Sequence, residues 1–532
     1  MSEHMRILPA GSSSILVELQ SLETTLALLD RLLASEIPGI EEVVPGASTV
    51  LVRFDPFVIN RAQLTEMVGQ LDVSNHRERS GNTFDIPVTY DGEDLCEVAE
   101  LLGWSVDELV RRHTDATYSV AFTGFAPGFA YMTSDDPAFN VSRRKTPRVR
   151  IPAGSVALAG KFGGIYPTDS PGGWQLLGTT QVRMWDTTRE TAALLAPGDR
   201  VRFRDARKGV TVSLPIASQT EVIRNEGASG ILVTRADRPV LFQDIGRLRQ
   251  AKQGVSASGA VDRRALRMAN ACVGNEEASA GLEVTLGGLS LLVDRPSTFA
   301  VTGAPCPISI RAVDGTVSKG PHARPFAVDA GEEVTLGIPD RGMRSYVALR
   351  GGFAVERALD SASTDTLAKI GPAPVKCDDV LIPACGAATS VDASLPIESV
   401  LPRSGDVVSV DVVLGPRTDW FKDESVSLFL SQEWEVTSES SRVGVRLAGA
   451  QILERRDGTE LPSEGTMFGS IQVPHSGQPV VFLADHPVTG GYPVIAVVAN
   501  HHLDALGQIP IGARIRFNPI SAFDPQVKEL VR

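Results

Sequence analysis

The sequence predicts an α+β, mostly β protein, with one small α/β module followed by a series of barrel-like β domains. Three observations carry this reading. A chain of 532 residues is too long for a single hydrophobic core and divides into about three to five domains. Its 49 glycines and 34 prolines exceed the roughly 12% of ordinary usage and call for many turns, hence many short strands. Finally, two stretches far apart in the chain repeat the same order of strand and turn motifs.

Residues 1–82 read as the α/β module. Ile15-Leu16-Val17-Glu18-Leu19 alternates as a strand, and Leu22, Leu26, Leu29, Leu32 and Leu33 recur at helical spacing until Ile37-Pro38-Gly39 stops the helix. Two short strands around Pro45-Gly46 and a second helix over Asn60 to Leu71 follow. Strand–helix–strand–strand–helix is the order of a ferredoxin-like sandwich.

Residues 83–215 open with a strand over Phe84 to Tyr90 and two short helices, Glu93 to Leu102 and Ser105 to His113. About 100 residues crowded with Gly, Pro and β-branched types then end in Val201-Arg202-Phe203, the composition of a closed or strongly curved barrel. Residues 216–229 are small and polar and read as a linker. A first β-rich lobe over 230–405 carries one helix, Asp262 to Cys272, with Asp262 as N-cap and Gly274 closing it. A second lobe spans 406–532.

The repeat joins the second domain to the last. Gly154-Ser155-Val156, Tyr166-Pro167, Pro171-Gly172-Gly173-Trp174 and Val201-Arg202-Phe203 in one copy correspond to Gly469-Ser470-Ile471, His486-Pro487, Thr489-Gly490-Gly491-Tyr492 and Ile515-Arg516-Phe517 in the other. Gly-Ser and Gly-Gly are 18 residues apart in the first copy and 21 in the second. Common order, spacing and residue type predict a duplicated barrel core.

Composition also excludes. A net charge of −13 argues against a large nucleic-acid footprint, which needs a basic surplus. No apolar run approaches the 18 or so residues of a membrane span. Five cysteines without a C-x-x-C pair and a polar start fit a reduced, cytoplasmic compartment. No Walker loop, G-x-S-x-G elbow or H-E-x-x-H occurs, and the absence of Met-Lys-Met leaves the chain without the site for covalent biotin.

The motifs resemble a known family. Phe122-Thr123-Gly124-Phe125-Ala126-Pro127-Gly128-Phe129-Ala130-Tyr131, Ile151-Pro152-Ala153-Gly154-Ser155 and Ser170-Pro171-Gly172-Gly173-Trp174 resemble allophanate hydrolase subunit 1, also known as the B subunit of 5-oxoprolinase. Gln243-Asp244-Ile245-Gly246-Arg247, Ser258-Gly259-Ala260-Val261-Asp262, Arg350-Gly351-Gly352, Ser441-Arg442-Val443-Gly444 and Ile471-Gln472-Val473-Pro474 resemble subunit 2, the C subunit. The chain reads as their fusion. The resemblance implies cyclophilin-like β-barrel domains and ATP-driven opening of 5-oxoproline to glutamate. ATP with Mg2+ would be co-substrate and a LamB/YcsF-type protein the third subunit. It equally implies a carboxyltransferase component of a biotin-dependent urea or amide carboxylase, or a regulator that binds a histidine kinase. Exposed strand edges at the barrels predict a homo-oligomer.

Lactam hydrolysis needs cations or backbone amides at the phosphates and a group that polarises the carbonyl or moves a proton. The basic run Arg143, Arg144, Lys145, Arg148 and Arg150 is either a solvated loop or an anion site beside Ser155. Lys161 lies in a glycine-rich turn, and His486 beside Asp485 has the residue type for acid–base work near neutrality; these three are the catalytic candidates. Gly128, Tyr131, Tyr166, Gly172, Gly173, Gln472, Gly490 and Gly491 are candidates for a pocket wall. Gln243, Asp244, Arg247, Ser258 and Arg350 form a second candidate group for anion or substrate binding. No metal ligand set is expected; His501-His502 read as an interdomain or surface pair.

Overall fold

The computed structural model describes residues 4–73, 81–144, 146–208, 229–391 and 400–530. The expected linker therefore lies outside the described residues apart from Ser229, and so does Lys145.

The first module is a five-stranded antiparallel sheet in the order Ile40–Pro45, Thr49–Phe54, Ser14–Glu18, His4–Pro9, Gln526–Glu529. Ser21 and Asn60 cap its two helices, Leu22–Ala34 and Arg61–Gly69, each through a reciprocal box with the residue three further on. Ile15, Val17, Val50 and Val52 face these helices. Leu8, Leu16, Val44 and Leu51 on the other face pack against Ala251 and Val488 from the second half of the chain. The sheet is thus buried on both sides. It differs from the expected strand–helix–strand–strand–helix by two strands: His4–Pro9, and Gln526–Glu529 from the far end of the sequence. Neither shows in the periodicity, because both are short and mix charge with apolar residues.

Residues 83–205 form a barrel. Going round it, Thr83–Val88 is followed by Gln175–Thr179, Ser155–Ala159, Phe162–Ile165, Ala130–Ser134, Tyr118–Thr123 and Arg200–Asp205, which pairs in parallel with Thr83–Val88. The remaining seam closes at one point, where Thr89 and Thr179 exchange backbone hydrogen bonds of 2.8 Å. Helices Leu95–Leu102 and Val106–Asp115 lay Val98 and Leu109 on the barrel core, against Leu177 and Phe203.

Residues 407–521 repeat that circuit. Val407–Leu414, Val494–Val498, Ser470–Gln472, Val480–Phe482, Gly444–Ala448, Trp434–Val436 and Arg514–Ser521 close a seven-stranded barrel, again with a parallel first–last pair. Each strand occupies the place of its repeat partner, so the duplication read from Gly-Ser and Gly-Gly spacing is a duplication of topology.

Between the barrels in sequence, residues 229–391 form two sheets of six and five strands around one core, with Val233, Leu291 and Leu336 from one sheet meeting Val284, Phe299 and Val347 from the other. The resemblance had implied related barrels throughout the second half; this lobe is a sandwich of two separate sheets. Its helix, Arg263–Val273, is capped by Asp262, whose carboxylate accepts from the Ala265 amide at 2.9 Å, and is ended by Gly274 in the left-handed region. The helix packs on Ala300, Tyr346 and Ala348, the outer face of the five-stranded sheet.

Candidate functional site

The two barrels face each other across a cleft built from both copies of the repeat. The first contributes Phe125, Phe129, Tyr131, Tyr166, Gly172, Gly173 and Trp174; the second contributes Arg455, His475, Thr489, Gly490, Gly491 and Tyr492. The cavity between them is about 280 Å³. It adjoins a wider one of about 610 Å³ through the shared residues Tyr131, Arg143, Glu460 and Ser463.

The barrels touch through polar atoms as well as shape. The Phe125 amide donates to the Thr489 hydroxyl at 2.8 Å, and the Tyr131 and Ser463 hydroxyls are 3.2 Å apart. A Cβ on Gly124 would lie 2.6 Å from the Thr489 side chain, so only glycine permits this approach. Phe125 itself sits at φ 61, a left-handed conformation that costs a non-glycine residue about 1–3 kcal/mol and persists only where the surroundings impose it.

One wall is aromatic. Phe129 stands edge-on to Phe125, Trp174 and Tyr131 at centroid distances of 5.3, 5.3 and 5.0 Å. Burial pushes the Tyr166 phenol above its ordinary range, so it remains a proton donor at neutral pH. The charges in the cleft are Arg143, Arg144, Lys161, Arg455 and Glu460. Arg143 and Lys161 form no ion pair among the described residues. Burial lowers the pKa of Lys161, with Glu23 opposing it, and likewise that of Arg455. Arg455 donates to the Val473 carbonyl at 2.8 Å and stands 5.7 Å from the Tyr492 ring centre. A half-apolar cleft with surplus positive charge suits a small ligand that has an apolar face and carries an anionic group.

The structure redistributes the other candidates. Arg144 and Arg148 both bind Asp94, which is 2% exposed. Arg148 reaches it at 2.7 Å and Glu93 at 3.0 Å. Burial would raise the Asp94 carboxyl, but hydrogen bonds from Arg148 and the Leu176 amide outweigh it and hold the group low. These two arginines are a lobe brace rather than an open anion site. Ser155, Gly128 and Gln472 lie outside the cleft lining: Gly128 donates to the Gln253 carbonyl at 2.9 Å, Ser155 accepts from the Tyr166 amide at 2.9 Å, and Gln472 holds the Tyr492 carbonyl at 3.0 Å.

The second candidate group is buried at the lobe junction. Asp244 accepts from the hydroxyls of Ser361 and Ser363 and the amides of Ala362 and Gly246; Arg247 donates to the Ser363 carbonyl, and Gln243 to that of Thr364 at 2.8 Å. Asp485 is fully buried and takes five donors: the hydroxyls of Ser258 and Thr366, the Thr366 amide, and two from Arg442 at 2.9 Å. Arg442 continues to Glu283. An acid so fully engaged has no lone pair left for proton transfer, so Asp485 is a structural lock. Arg350 donates to the carbonyls of Val273 and Thr389 at 2.7 Å and caps the helix end. His486 lines a different cavity from the cleft. His501 and His502 bond the Asp411 carboxylate and amide.

Sequence reasoning missed Arg455, Glu460 and His475 in the cleft. They come from loops that carry no repeat motif, and only the facing of the two barrels brings them in.

A duplicated barrel pair facing one cleft, with a sandwich lobe locked behind it, defines a two-barrel protein on one chain. Its segments match the carboxyltransferase domain, with subdomains A and B over residues 253–519 and subdomains C and D over residues 5–195. The chain belongs to the allophanate hydrolase subunit family, as a fusion of the two subunits. Residues of the second half are 37% identical to the C subunit of 5-oxoprolinase from Escherichia coli K12 over 294 residues, 54% of this chain and 89% of that protein. The first half is 36% identical to the B subunit of 5-oxoprolinase from Escherichia coli O157:H7 over 210 residues, 38% of this chain and 95% of that protein. Urea amidolyase of Saccharomyces cerevisiae is 32% identical over 295 residues, 52% of this chain but 16% of its own length. Among solved structures, TTHA0988 superposes with a TM-score of 0.81 at 33% identity, covering 95% of this chain and 99% of that one.

Proposed function

We propose that this protein is the fused B–C component of an ATP-dependent 5-oxoprolinase, acting with a separate LamB/YcsF-type subunit, and that the inter-barrel cleft holds the cyclic amide. The observation that carries this reading is the placement of both Gly-Gly turns, Gly172-Gly173 and Gly490-Gly491, on the same cleft, where free backbone can approach a ligand closely. Arg143 and Lys161 supply charge for a ring carboxylate, the aromatic wall supplies a face for the ring, and the Tyr166 hydroxyl supplies a proton donor for a carbonyl.

A magnesium nucleotide would find one protein carboxylate in this cleft. Mg2+ takes carboxylate oxygens, and Glu460 is the one acid among the described lining residues. A coupled assay tests the reading: glutamate release from 5-oxoproline with ATP, this chain and a LamB/YcsF partner. No turnover by a folded, reconstituted complex overturns it. The carboxyltransferase match and the urea amidolyase relative support a second reading, a carboxyltransferase component for urea or a related amide. Turnover that requires a separate biotinylated carrier would select it.

A further inference from the structure

A second cavity, of about 280 Å³, lies where the first module, the sandwich lobe and the second barrel meet. Its polar lining includes Arg53, Arg263, Glu41, Glu42, Ser258 and His486, and it shares no residue with the inter-barrel cleft.

Three features set it apart from a packing defect. Among the described residues the Arg263 guanidinium makes one hydrogen bond, a long one of 3.4 Å to the Ser258 carbonyl, and its Nε is buried with no partner. It forms no ion pair among the described residues. Arg53 stands close enough that its charge, after burial, is the largest influence lowering the Arg263 pKa. Both guanidiniums line this one cavity. Glu41 and Glu42, which also line the cavity, satisfy Arg53 at 3.0 and 3.3 Å, whereas Asp504 and Asp244 offset Arg53 at Arg263 only from beyond ion-pair distance.

The second feature is the tautomer of His486. Its Nδ1 is 2.8 Å from the Pro487 carbonyl; a carbonyl only accepts, so Nδ1 carries the proton and Nε2 presents a lone pair. Burial holds the ring neutral, with its pKa pulled down to about 4. The third is backbone strain: Ser258 sits at φ 52, held there by its 2.7 Å hydrogen bond to Asp485.

An occupant must therefore bring oxygen acceptors and negative charge to Arg263, and one proton to His486 Nε2. We propose that this junction is a binding site for a compact oxyanion that retains one O–H, the class of hydrogen phosphate and bicarbonate. Arg263 is the charge anchor and His486 the acceptor. Ala484, His486 and Val488 line this cavity and Thr489 to Tyr492 line the cleft, so an occupant here also steadies the second Gly-Gly turn.

Calorimetric titration of the full chain at pH 7 tests this, with inorganic phosphate, bicarbonate and acetate as separate probes. One site per chain for phosphate or bicarbonate is expected, the tighter of the two naming the source, with acetate at least several-fold weaker because it has no proton to give. Arg263→Gln should weaken binding about tenfold, and Arg263→Lys should recover part of it. Should Arg263→Gln misfold, the rise in unfolding temperature of the unaltered chain with phosphate over chloride replaces that arm. Absence of binding by both oxyanions at millimolar concentration, acetate binding equally well, or unchanged affinity in folded Arg263→Gln overturns the proposal.

Discussion

The two barrels share one circuit of strands yet spend their charged residues differently. In the first, the arginines near the cleft pair with the buried Asp94 and the exposed Glu93, and Arg144 and Arg148 themselves keep 30% and 17% of their side chains exposed. In the second, Arg442 and Arg417 are buried with their acids. Arg417 binds Glu464 and reaches Glu18 of the first module, while Arg442 binds Asp485 and Glu283 of the sandwich lobe. A duplicated scaffold has thus divided its work. The second barrel is the hub to which other lobes are fastened, and the first is a satellite that closes one side of the cleft.

The largest test of this contrast is removal of the hub arginine. Arg442→Met leaves Asp485 buried without its ion-pair partner and Glu283 with Arg344 alone, 3.5 Å away, and should cost about 3–5 kcal/mol, whereas Arg144→Met in the first barrel should cost about 1 kcal/mol or less. Urea unfolding of both variants reads the difference, and equal losses would refute the division.

The next effect belongs to the first barrel alone. His113 is buried against Phe203 at a centroid distance of 4.5 Å, with Tyr90 2.7 Å from its Nδ1. Burial lowers its pKa from 6.5 to about 3. The folded state therefore refuses a proton that the unfolded chain accepts. Stability is intact above pH 6.5 and is lost as the pH falls toward 3, by about 2 kcal/mol at pH 5. Unfolding midpoints at pH 7 and pH 5 should show a shallower acid loss in His113→Phe than in the parent chain; identical pH slopes would discount this histidine.

The smallest stability effect is expected in the cleft. Arg143→Gln should change stability by less than about 0.5 kcal/mol while weakening 5-oxoproline binding about tenfold. A stability loss as large as that of Arg442→Met would make Arg143 structural and return the cleft to packing.

Sequence patterns predicted what rests on local chemistry. Gly-Ser and Gly-Gly motifs at matched spacing located the duplication, and Asp262 with Gly274 bounded the sandwich helix to within a residue at each end. Long-range pairing was out of reach. Nothing near Arg144 points to Asp94, 50 residues earlier, and nothing near Asp485 points to Arg442 or Ser258. His486 read as a partner of Asp485 by adjacency, yet their side chains face different neighbours because consecutive residues along an extended backbone point opposite ways. Two arginines that looked available in the basic run are already taken by acids on a helix start.

The strand Gln526–Glu529 lies beside His4–Pro9 in register, Lys528 opposite Met5. The relatives of each half are separate polypeptides, but here the last strand of one half completes the sheet of the other. The fusion is therefore a clasp: divided into two chains, it would leave a bare edge on the first piece and a matching ribbon on the second, and strand complementation would bring them back together.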